Sequence, residues 1–358
     1  MLPLFQAFPQ LARSLPHLPL ANLPTPVEAM DIDIPNLHVK RDDACATLYG
    51  GNKVRKLEFF LGYAKEQGYT STITYGCVGS NHALATALHA QARGLRPISV
   101  LFPQPIAQNV RRNLLRHFQT GARLEHCRSG SEAAAATRKQ FRAADERDGP
   151  YPFVIAAGGS APLGIAGFVN AAFELKQQIE SGEVPKPDVI YVPSGTMGTA
   201  IGLLLGLQAA QLDTHVMAVA VTVPPWTSEE KARTHFQAAN RFLHENDPAF
   251  PLFEFPENRF TLRHGFLGPQ YGEYTPEGLD AVRRAAHAGI KLEGTYTGKS
   301  FAALLQDAAE GKLAGKTTLF WNTYNSVDIA ADVGTQDYRA LPEVFHPYFE
   351  QPLQALDK

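Results

Sequence analysis

Cysteine and charged residues are both scarce in this chain. Only three of its 358 residues are cysteine, Cys45, Cys77 and Cys127, and none forms a CxxC pair. Such a count provides neither a disulfide framework nor a zinc site and is typical of reduced cytosolic thiols. His235 and His244 share a predicted helix without HExxH or Cys/His spacing, so we expect no metal site. Charged residues make up 19% of the chain, below the roughly 25% of an average globular protein, which argues against disorder and coiled coil.

The chain has no marked excess of charge of either sign. Its 33 Lys and Arg residues nearly balance its 35 Asp and Glu residues, giving a net charge of −2. We therefore expect neither a nucleic-acid partner nor an acidic tail. The first twenty residues contain four prolines, and no basic segment precedes an unbroken apolar run. This argues against a signal peptide and favours a cytoplasmic protein.

One uncharged stretch, residues 189–212, is long enough to cross a bilayer. Pro193, Ser194 and Gly195 interrupt it near its start. A buried strand, a glycine loop and a buried helix explain the stretch better than a membrane span. We therefore expect no membrane partner.

Strand and helix patterns alternate along most of the chain. Runs rich in β-branched and apolar residues, such as 71–75, 97–102 and 215–222, are separated by helical patterns and short glycine-containing loops. Repeated alternation of this kind predicts an α/β protein with parallel strands. The length of the chain favours two domains.

The segment Gly50–Lys56 (GGNKVRK) is the first candidate for chemistry. It is not a Walker A loop, because the spacer and the Gly-Lys-Ser/Thr ending are missing. Lys53 stands at a glycine-rich turn that opens a predicted helix, near the positive end of the helix dipole. That position, together with the charges of Arg55 and Lys56, is expected to lower the pKa of Lys53 and favour the nucleophilic amine. A solvated basic turn is the alternative.

The second candidate, Gly76–His82 (GCVGSNH), follows a predicted buried strand. Ligands of open α/β sheets bind outside the carboxyl ends of strands, and the N–H groups that open the next helix suit a carboxylate. An ordinary loop capped by Asn81 is the alternative. Ser80 and His82 do not indicate a hydrolase, because the chain contains no GxSxG elbow.

The third candidate is a hydroxyl- and glycine-rich loop between a predicted buried strand and a helix. Its N–H groups and hydroxyls suit a phosphate. It has neither the lysine of a P-loop nor the spacing of a dinucleotide fingerprint, and an ordinary glycine-containing turn is the alternative. The loop consists of Ser194, Gly195, Thr196, Met197, Gly198 and Thr199.

In this order, the three motifs resemble those of the pyridoxal-phosphate enzymes of the tryptophan-synthase-β fold. The greatest similarity is to the 1-aminocyclopropane-1-carboxylate deaminase and D-cysteine desulfhydrase family. Gly268–Gly272 (GPQYG) and Tyr296–Lys299 (YTGK) also resemble stretches of that family. The resemblance spans about residues 39–324, and GGNKVRKLE is its most specific part.

The resemblance implies a fold-type-II architecture, with two open, twisted, mostly parallel sheets flanked by helices. A small domain of residues 53–165 would be inserted into a large domain of residues 1–52 and 166–358. It also implies pyridoxal 5′-phosphate as the cofactor, a small amino acid as the substrate and a homodimeric assembly.

Roles for individual residues are implied in the same way. Lys53 would form the covalent link to the cofactor and then move the α-proton of the substrate. Asn81 would bond the phenolic oxygen of the cofactor, and Thr297 would meet its pyridine nitrogen. The substrate carboxylate would be held by Ser80, Asn81 and His82. Catalysis at the reacting carbon would fall to Lys53, Ser80, Tyr271 and Tyr296. The cofactor phosphate would be bound by Lys56, Ser194, Gly195, Thr196, Met197, Gly198 and Thr199.

Two of these positions favour one reaction over another. In the deaminase branch of the family a glutamate matches Thr297 and a glutamine matches His82. A neutral threonine gives a weaker electron sink, which suffices when the leaving group is a thiol. The resemblance thus favours a desulfhydrase-like β-elimination, giving ammonia and a 2-oxo acid, over opening of a cyclopropane ring. The same motifs also fit racemisation, β-replacement or a catalytically impaired homologue that only binds the cofactor.

The chain departs from the family pattern at several positions. Cys77 and Met197 stand where glycines are common, and Gly79 stands where a glutamine is usual. The late His-Thr-Gly-Gly stretch is Asn-Thr-Tyr-Asn, so that Tyr324 and Asn325 replace two glycines near the cofactor. The last two changes are expected to alter or narrow the pocket.

Overall fold

In a computed structural model that describes residues 1–146, 149–334 and 336–357, the chain forms two β-sheets flanked by helices. The first sheet has six strands in the order β1-β2-β10-β7-β8-β9, and only its β1–β2 pair is antiparallel. Its strands are β1 (Val27–Ala29), β2 (Leu37–Lys40), β7 (Val189–Ser194), β8 (His215–Ala220), β9 (Phe260–Arg263) and β10 (Thr318–Trp321).

The second sheet has four parallel strands in the order β5-β4-β3-β6. These strands come from residues 71–155, inside the predicted small domain, while the domain boundaries themselves stay a prediction. The α/β class with mostly parallel strands is confirmed. The strands of this sheet are β3 (Ser71–Cys77), β4 (Arg96–Phe102), β5 (Arg123–His126) and β6 (Phe153–Ile155).

Helices pack against the sheets, and short helices lie near both ends of the chain. The α-helices of the described residues are α1 (Pro3–Ala7), α2 (Leu11–Ser14), α3 (Lys53–Glu66), α4 (Asn81–Ala92), α5 (Gln108–Gln119), α6 (Gly130–Asp145), α7 (Pro162–Glu180), α8 (Gly198–Ala209), α9 (Glu229–Asn246), α10 (Pro276–His287), α11 (Thr297–Ala309), α12 (Ala330–Val333) and α13 (Pro347–Glu350). None of these helices is long and apolar enough to cross a membrane.

The six-stranded sheet is buried on both faces. Along β7, Ile190 and Val192 pack with α7 and α8, whereas Val189 and Tyr191 pack with α10 and α11. Because both faces are apolar, β7 reads as a continuous uncharged run rather than as an alternating one. The uncharged residues 189–212 are therefore β7, a loop and α8, as predicted.

Glycines let α7 approach its neighbours closely. A Cβ at Gly202 of α8 would lie 2.4 Å from the Cβ of Phe168 on α7. A Cβ at Gly167 would lie 2.3 Å from the carbonyl oxygen of Arg55 on α3. Larger residues at these positions would push the helices apart, and α3 carries Lys53 at its first position. Close packing on α7 thus fixes the place of that lysine.

Candidate active site

A cavity of about 560 Å³ lies beyond the carboxyl ends of strands from both sheets. Strands β3, β4 and β5 of one sheet and β7, β8 and β10 of the other end at or next to its wall. This is the place where open α/β sheets bind ligands. All the residues predicted to contact the cofactor and the substrate line this one cavity, although their individual roles stay predictions.

Lys53 opens α3 and presents its amine to the cavity. The amine forms no hydrogen bond or ion pair with another residue that the structure describes, and burial lowers the pKa of Lys53 to about 8. The lowered pKa was expected, but its cause is burial rather than the neighbouring charges. Arg55 and Lys56 are each only 1% exposed, so this segment is not a solvated basic turn.

The turn that carries Lys53 is held against the loop that follows β10. The backbone N–H of Asn52 donates to the carbonyl of Thr323 at 3.2 Å, and its side-chain amide donates to Thr199 Oγ1 at 2.9 Å. Gly51 has a φ of +93°, and a Cβ there would lie within 2.8 Å of the carbonyl oxygens of Thr323 and Tyr324. Glycine at position 51 therefore allows the turn that carries Lys53 to approach the loop after β10 this closely.

Lys56 is a buried amine beside the loop that follows β7, and its charged form would need a partner. It donates to the carbonyl of Gly158 at 3.0 Å and lies 3.5 Å from Ser160 Oγ, without a carboxylate partner among the described residues. Burial, together with the charge of Lys53, lowers its pKa well below the usual value. A buried cation of this kind is stabilised by an anion. It therefore fits the predicted phosphate.

Ser160, which the sequence analysis did not assign, completes this part of the site. Its hydroxyl accepts from the N–H of Gly198 at 3.2 Å and lies 2.7 Å from Thr196 Oγ1. A lysine, a helix N-terminal N–H and two hydroxyls thus converge at the start of α8, which fits a phosphate. We call Lys56, Ser160, Thr196 and Gly198 the phosphate cradle. The available signal was the run Gly158-Gly159-Ser160 shortly after β6.

Two other loop residues contribute through their backbone. Met197 has a φ of +67°, the left-handed region that glycine adopts readily, which gives a physical reason for glycine at this position in the family. Its side chain is 1% exposed within the apolar core, and its sulfur accepts from Ser194 Oγ. The hydroxyl of Ser194 is thereby engaged, so a phosphate would meet backbone groups of these two residues.

We expect Gly198→Ala to weaken cofactor binding by about tenfold, a loss of about 1.4 kcal/mol. The added Cβ would lie 2.4 Å from Ser160 Oγ and 2.9 Å from Lys56 Nζ, inside the phosphate cradle. Gly195→Ala is the matched control in the same loop, since its Cβ would make ordinary contacts at 3.4–3.5 Å. Titration of each apo protein with pyridoxal 5′-phosphate measures the effect, and equal affinities of the two variants would contradict the prediction.

The loop after β3 positions Ser80 and Asn81. Ser80 caps α4 by accepting from the N–H of Ala83, and Asn81 is the first helical residue, so the predicted cap at Asn81 is wrong. The side-chain oxygen of Asn81 accepts from Tyr49 Oη at 3.0 Å and from Asn113 Nδ2 at 3.1 Å. The two donors orient the amide, and its N–H₂ group has no hydrogen-bond partner among the described residues, which fits the phenolic oxygen of the implied cofactor.

His82 is neutral in this environment. Burial and the charges of Lys53 and Lys56 lower the pKa of its imidazole well below the usual value. Thr74 Oγ1 donates to the carbonyl of Ile155, so it accepts from His82 Nε2 at 2.9 Å. His82 therefore brings no positive charge to a substrate carboxylate, whose binding would depend on the N–H groups at the start of α4.

Two tyrosines face each other near the lysine. The hydroxyls of Tyr271 and Tyr296 lie 2.5 Å apart, and burial is the main cause that raises the pKa of each. Burial also raises the pKa of the nearby Cys77 thiol to about 12. Near neutral pH these groups stay protonated and can donate a proton to a substrate.

Thr297 lies beside a carboxylate that the sequence analysis missed. Glu293 accepts from the N–H groups of Thr295, Tyr296 and Thr297 at 2.6–3.0 Å, and burial raises the pKa of its carboxyl. Thr297 Oγ1 accepts from the N–H of Glu293 at 2.9 Å. The available signal was an acidic residue a few positions before the YTGK motif, because carboxylates cap helix N-termini and α11 begins within that motif.

The two residues that replace glycines after β10 behave differently. The side chain of Tyr324 lines the cavity. Asn325 instead folds back, and its side-chain oxygen accepts from the N–H groups of Gly50 and Val327 at 2.7 and 3.1 Å. Of the two replacements, Tyr324 is thus the one placed to narrow the cavity, and the narrowing stays a prediction, whereas Asn325 fastens the loop to the turn that carries Lys53.

The space beside Gly79 is filled by side chains from other segments of the chain. Gln104 accepts from the N–H of Gly79 at 3.0 Å. A Cβ at Gly79 would lie 2.7 Å from Val110 Cγ2 and 3.0 Å from Gln104 Nε2. Gln104 and Val110 thus occupy the room that a larger residue at position 79 would require.

Comparisons with known proteins agree with the motifs. The family of pyridoxal-phosphate dependent enzymes matches residues 18–323. The nocardicin C-9′ epimerase of Nocardia uniformis subsp. tsuyamanensis is 34% identical over 321 residues, covering 87% of this chain and 93% of the relative. The D-cysteine desulfhydrase of Yersinia pestis (strain Pestoides F) is 32% identical over 324 residues, covering 86% and 92%. A crystal structure described as an ACC deaminase homologue is 30% identical with a TM-score of 0.74, covering 89% and 94%.

Proposed function

This chain belongs to the pyridoxal-phosphate dependent enzymes, and from that membership we propose that it eliminates the β-substituent of a small amino acid, releasing ammonia and a 2-oxo acid. The observation that carries this proposal is Lys53, an unpaired amine with a pKa of about 8 in the same cavity as the phosphate cradle. Relatives named D-cysteine desulfhydrase support elimination of a thiol, as does the neutral Thr297.

Bound pyridoxal 5′-phosphate supplies an aldehyde for the amino group and a ring that accepts the electron pair left at the α-carbon. Lys56 and the rest of the phosphate cradle would hold its phosphate, and Asn81 would donate to its phenolic oxygen. Lys53, whose amine lies in the same cavity, would accept the α-proton of the bound amino acid. The paired hydroxyls of Tyr271 and Tyr296 can then give a proton to the departing sulfur.

Epimerisation at the α-carbon is a second candidate, favoured by the relative named nocardicin C-9′ epimerase. This reaction needs a proton donor besides the base, and the pair Tyr271–Tyr296 lies in the same cavity as Lys53. The α-proton would be removed as in elimination but returned to the opposite face of the carbon, and the β-substituent would stay in place.

An amino-acid panel in deuterated water distinguishes these reactions. The holoenzyme is incubated with both enantiomers of cysteine, with 1-aminocyclopropane-1-carboxylate and with other small amino acids. We expect sulfide, ammonia and pyruvate in equal amounts from one cysteine enantiomer. Deuterium at the α-carbon without oxo acid would favour epimerisation, and oxo acid from the cyclopropane alone would favour ring opening. A loaded enzyme that yields neither product nor exchange would contradict the proposal.

We further propose a cytoplasmic location and a homodimeric assembly. The three cysteines are free thiols, and Cys45 and Cys127 are buried, which suits a reducing compartment. The homodimer rests on the family resemblance. Light scattering of the purified protein tests the assembly, and a monomer at micromolar concentration would contradict it.

A further inference from the structure

We propose that the cavity binds an amino acid with an extended, mainly apolar side chain, in a part of the cavity that neither the cofactor nor the reaction residues occupy. This inference rests on the proposed function and names its substrate class. We call this part the outer arm and define it by the lining residues Phe102, Arg128, Val223 and Trp226.

Strand register places the Arg128 end of the outer arm two strands away from Cys77, which lies beside Tyr271. Cys77 at the end of β3 pairs with Phe102 at the end of β4, and Leu101 of β4 pairs with His126 of β5. The ends of the three strands are therefore level. Neighbouring strands lie about 4.8 Å apart, so the end of β5, where Arg128 follows, is roughly 10 Å from Cys77. The single carbon and sulfur of a cysteine side chain do not span this distance.

The other sheet contributes apolar side chains that the fold leaves in water. Val223 and Trp226 are 47% and 52% exposed on the loop after β8. The hydroxyls of Thr222 and Thr227 at either end of this loop donate to the carbonyl of Gly195. The loop is thus anchored to the phosphate-binding loop while two large apolar side chains line the cavity. A bound apolar group would remove their surface from water.

The charge of the outer arm limits its ligand further. Arg128 is the charged residue of the outer arm. Its backbone N–H donates to Glu132 Oε2 at 2.7 Å, while its guanidinium group forms no ion pair with a carboxylate of the described residues. The two lysines of the cavity lie elsewhere: Lys53 is among the reaction residues, and Lys56 is part of the phosphate cradle. An apolar passage with a basic far end suits an aromatic or aliphatic β-substituent, with an acceptor or carboxylate at its tip.

S-benzylcysteine is a suitable probe because it carries such a group on a good leaving atom. Lys53 takes the α-proton, the Cβ–S bond breaks, and the electron pair leaves with the sulfur, which takes a proton to become benzyl thiol. The remaining three-carbon fragment takes up water and gives ammonia and pyruvate. We expect kcat/KM of the holoenzyme for one enantiomer of S-benzylcysteine to exceed that for cysteine by about tenfold or more, as extra apolar contacts in a pocket allow.

Trp226→Ala tests the outer arm directly. It should lower kcat/KM for S-benzylcysteine by about tenfold, mainly through KM, and leave turnover of cysteine within about threefold. Leu252→Ala is the matched control, because Leu252 is 63% exposed and is not part of the cavity wall. Equal losses with both substrates would overturn the proposal. The wild type should bind S-(4-carboxybenzyl)cysteine more tightly than the uncharged S-benzylcysteine, and Arg128→Gln should abolish this difference. Equal affinities of the wild type for the two probes would overturn the assignment of the basic end.

Tryptophan fluorescence separates this proposal from the proposed function. The chain has two tryptophans, and Trp321 is fully buried, so a difference between wild type and Trp226→Phe reports on Trp226. S-benzylcysteine should change this signal at lower concentration than cysteine does. If the signal changes without pyruvate release, the outer arm stands and elimination fails. If cysteine is turned over but S-benzylcysteine neither binds nor reacts, elimination stands and the outer arm fails.

Discussion

Lys53→Ala is expected to reduce turnover by at least about 10³-fold, because one amine performs two tasks: it captures the cofactor aldehyde and then moves the α-proton. The structure supports both, since Lys53 is an unpaired amine in the cavity with a pKa of about 8. Covalent capture is measured by reduction with borohydride and peptide mass analysis, which should place the cofactor on Lys53 in the wild type. Lys56→Ala is the control: it should weaken cofactor binding through the phosphate cradle but leave the site of covalent attachment unchanged.

The pH dependence of capture checks the same assignment. The neutral amine is the nucleophile, and its fraction rises as the pH passes through the pKa. The rate at which apo protein captures pyridoxal 5′-phosphate should therefore rise with pH and level off above about pH 8. With an unperturbed lysine the rate would keep rising up to about pH 10.4. A rate that still rises about sevenfold between pH 9 and 10, as the neutral fraction of an unperturbed lysine does, or covalent capture by Lys53→Ala, would contradict the role given to this residue.

The sequence predicted the alternating core but not the last third of the fold. Strands such as β7 and β8 are buried on both faces and read as apolar runs, so their pattern is local. No strand or helix was predicted after α9, and β9, α10 and β10 went unassigned. Strand β10 has only four residues and lies between β2 and β7, where its partners come from distant parts of the chain. Pairing of that kind is decided by packing rather than by a local pattern.

Within the site, the order of motifs led to every assigned residue, whereas partners distant in sequence were missed. Tyr49 orients Asn81 across 32 positions, and Ser160 meets Lys56 across 104. The direction of a side chain was equally hidden, as with Asn325, which folds into its own loop. Arg55 was treated as a free charge that lowers the pKa of Lys53, but two carboxylates neutralise it. These features depend on which segments meet in three dimensions.

The buried charges around Arg55 tie together the segments that carry the site. Arg55 donates to Asp42 at 2.7 and 2.9 Å and to Glu174 at 2.9 and 3.0 Å. Lys40 also donates to Glu174, at 2.6 Å, and Trp321 Nε1 donates to Asp42 at 2.8 Å. All five side chains are at most 2% exposed. These bonds thus join four segments: the first turn of α3, the segment before the lysine turn, helix α7 and the end of β10.

Acid should weaken this network through Glu174. Burial alone would raise the pKa of Glu174, but the charges of Arg55 and Lys40 outweigh burial and lower it to about 2. Because the folded-state pKa lies below the unfolded value of about 4.3, the stabilisation is fully present above about pH 4.3 and is lost as the pH falls towards 2. The ion pairs are therefore intact under the conditions in which a variant would be measured near neutral pH.

Arg55→Met is expected to lower the free energy of unfolding by about 3–5 kcal/mol, because it leaves Asp42 and Glu174 buried with too little positive charge. Urea denaturation of the apo protein at neutral pH measures the loss. Arg284→Met is the matched control: its exposed pair with Asp280 has similar geometry, at 2.8 Å, but exposed pairs contribute about 0–1 kcal/mol. Adding Asp42→Asn to Arg55→Met should recover part of the loss, since it removes an unpaired buried charge. If Arg55→Met is no worse than Arg284→Met, or if the second substitution only adds to the loss, the ionic network is not what fixes α3 and its lysine.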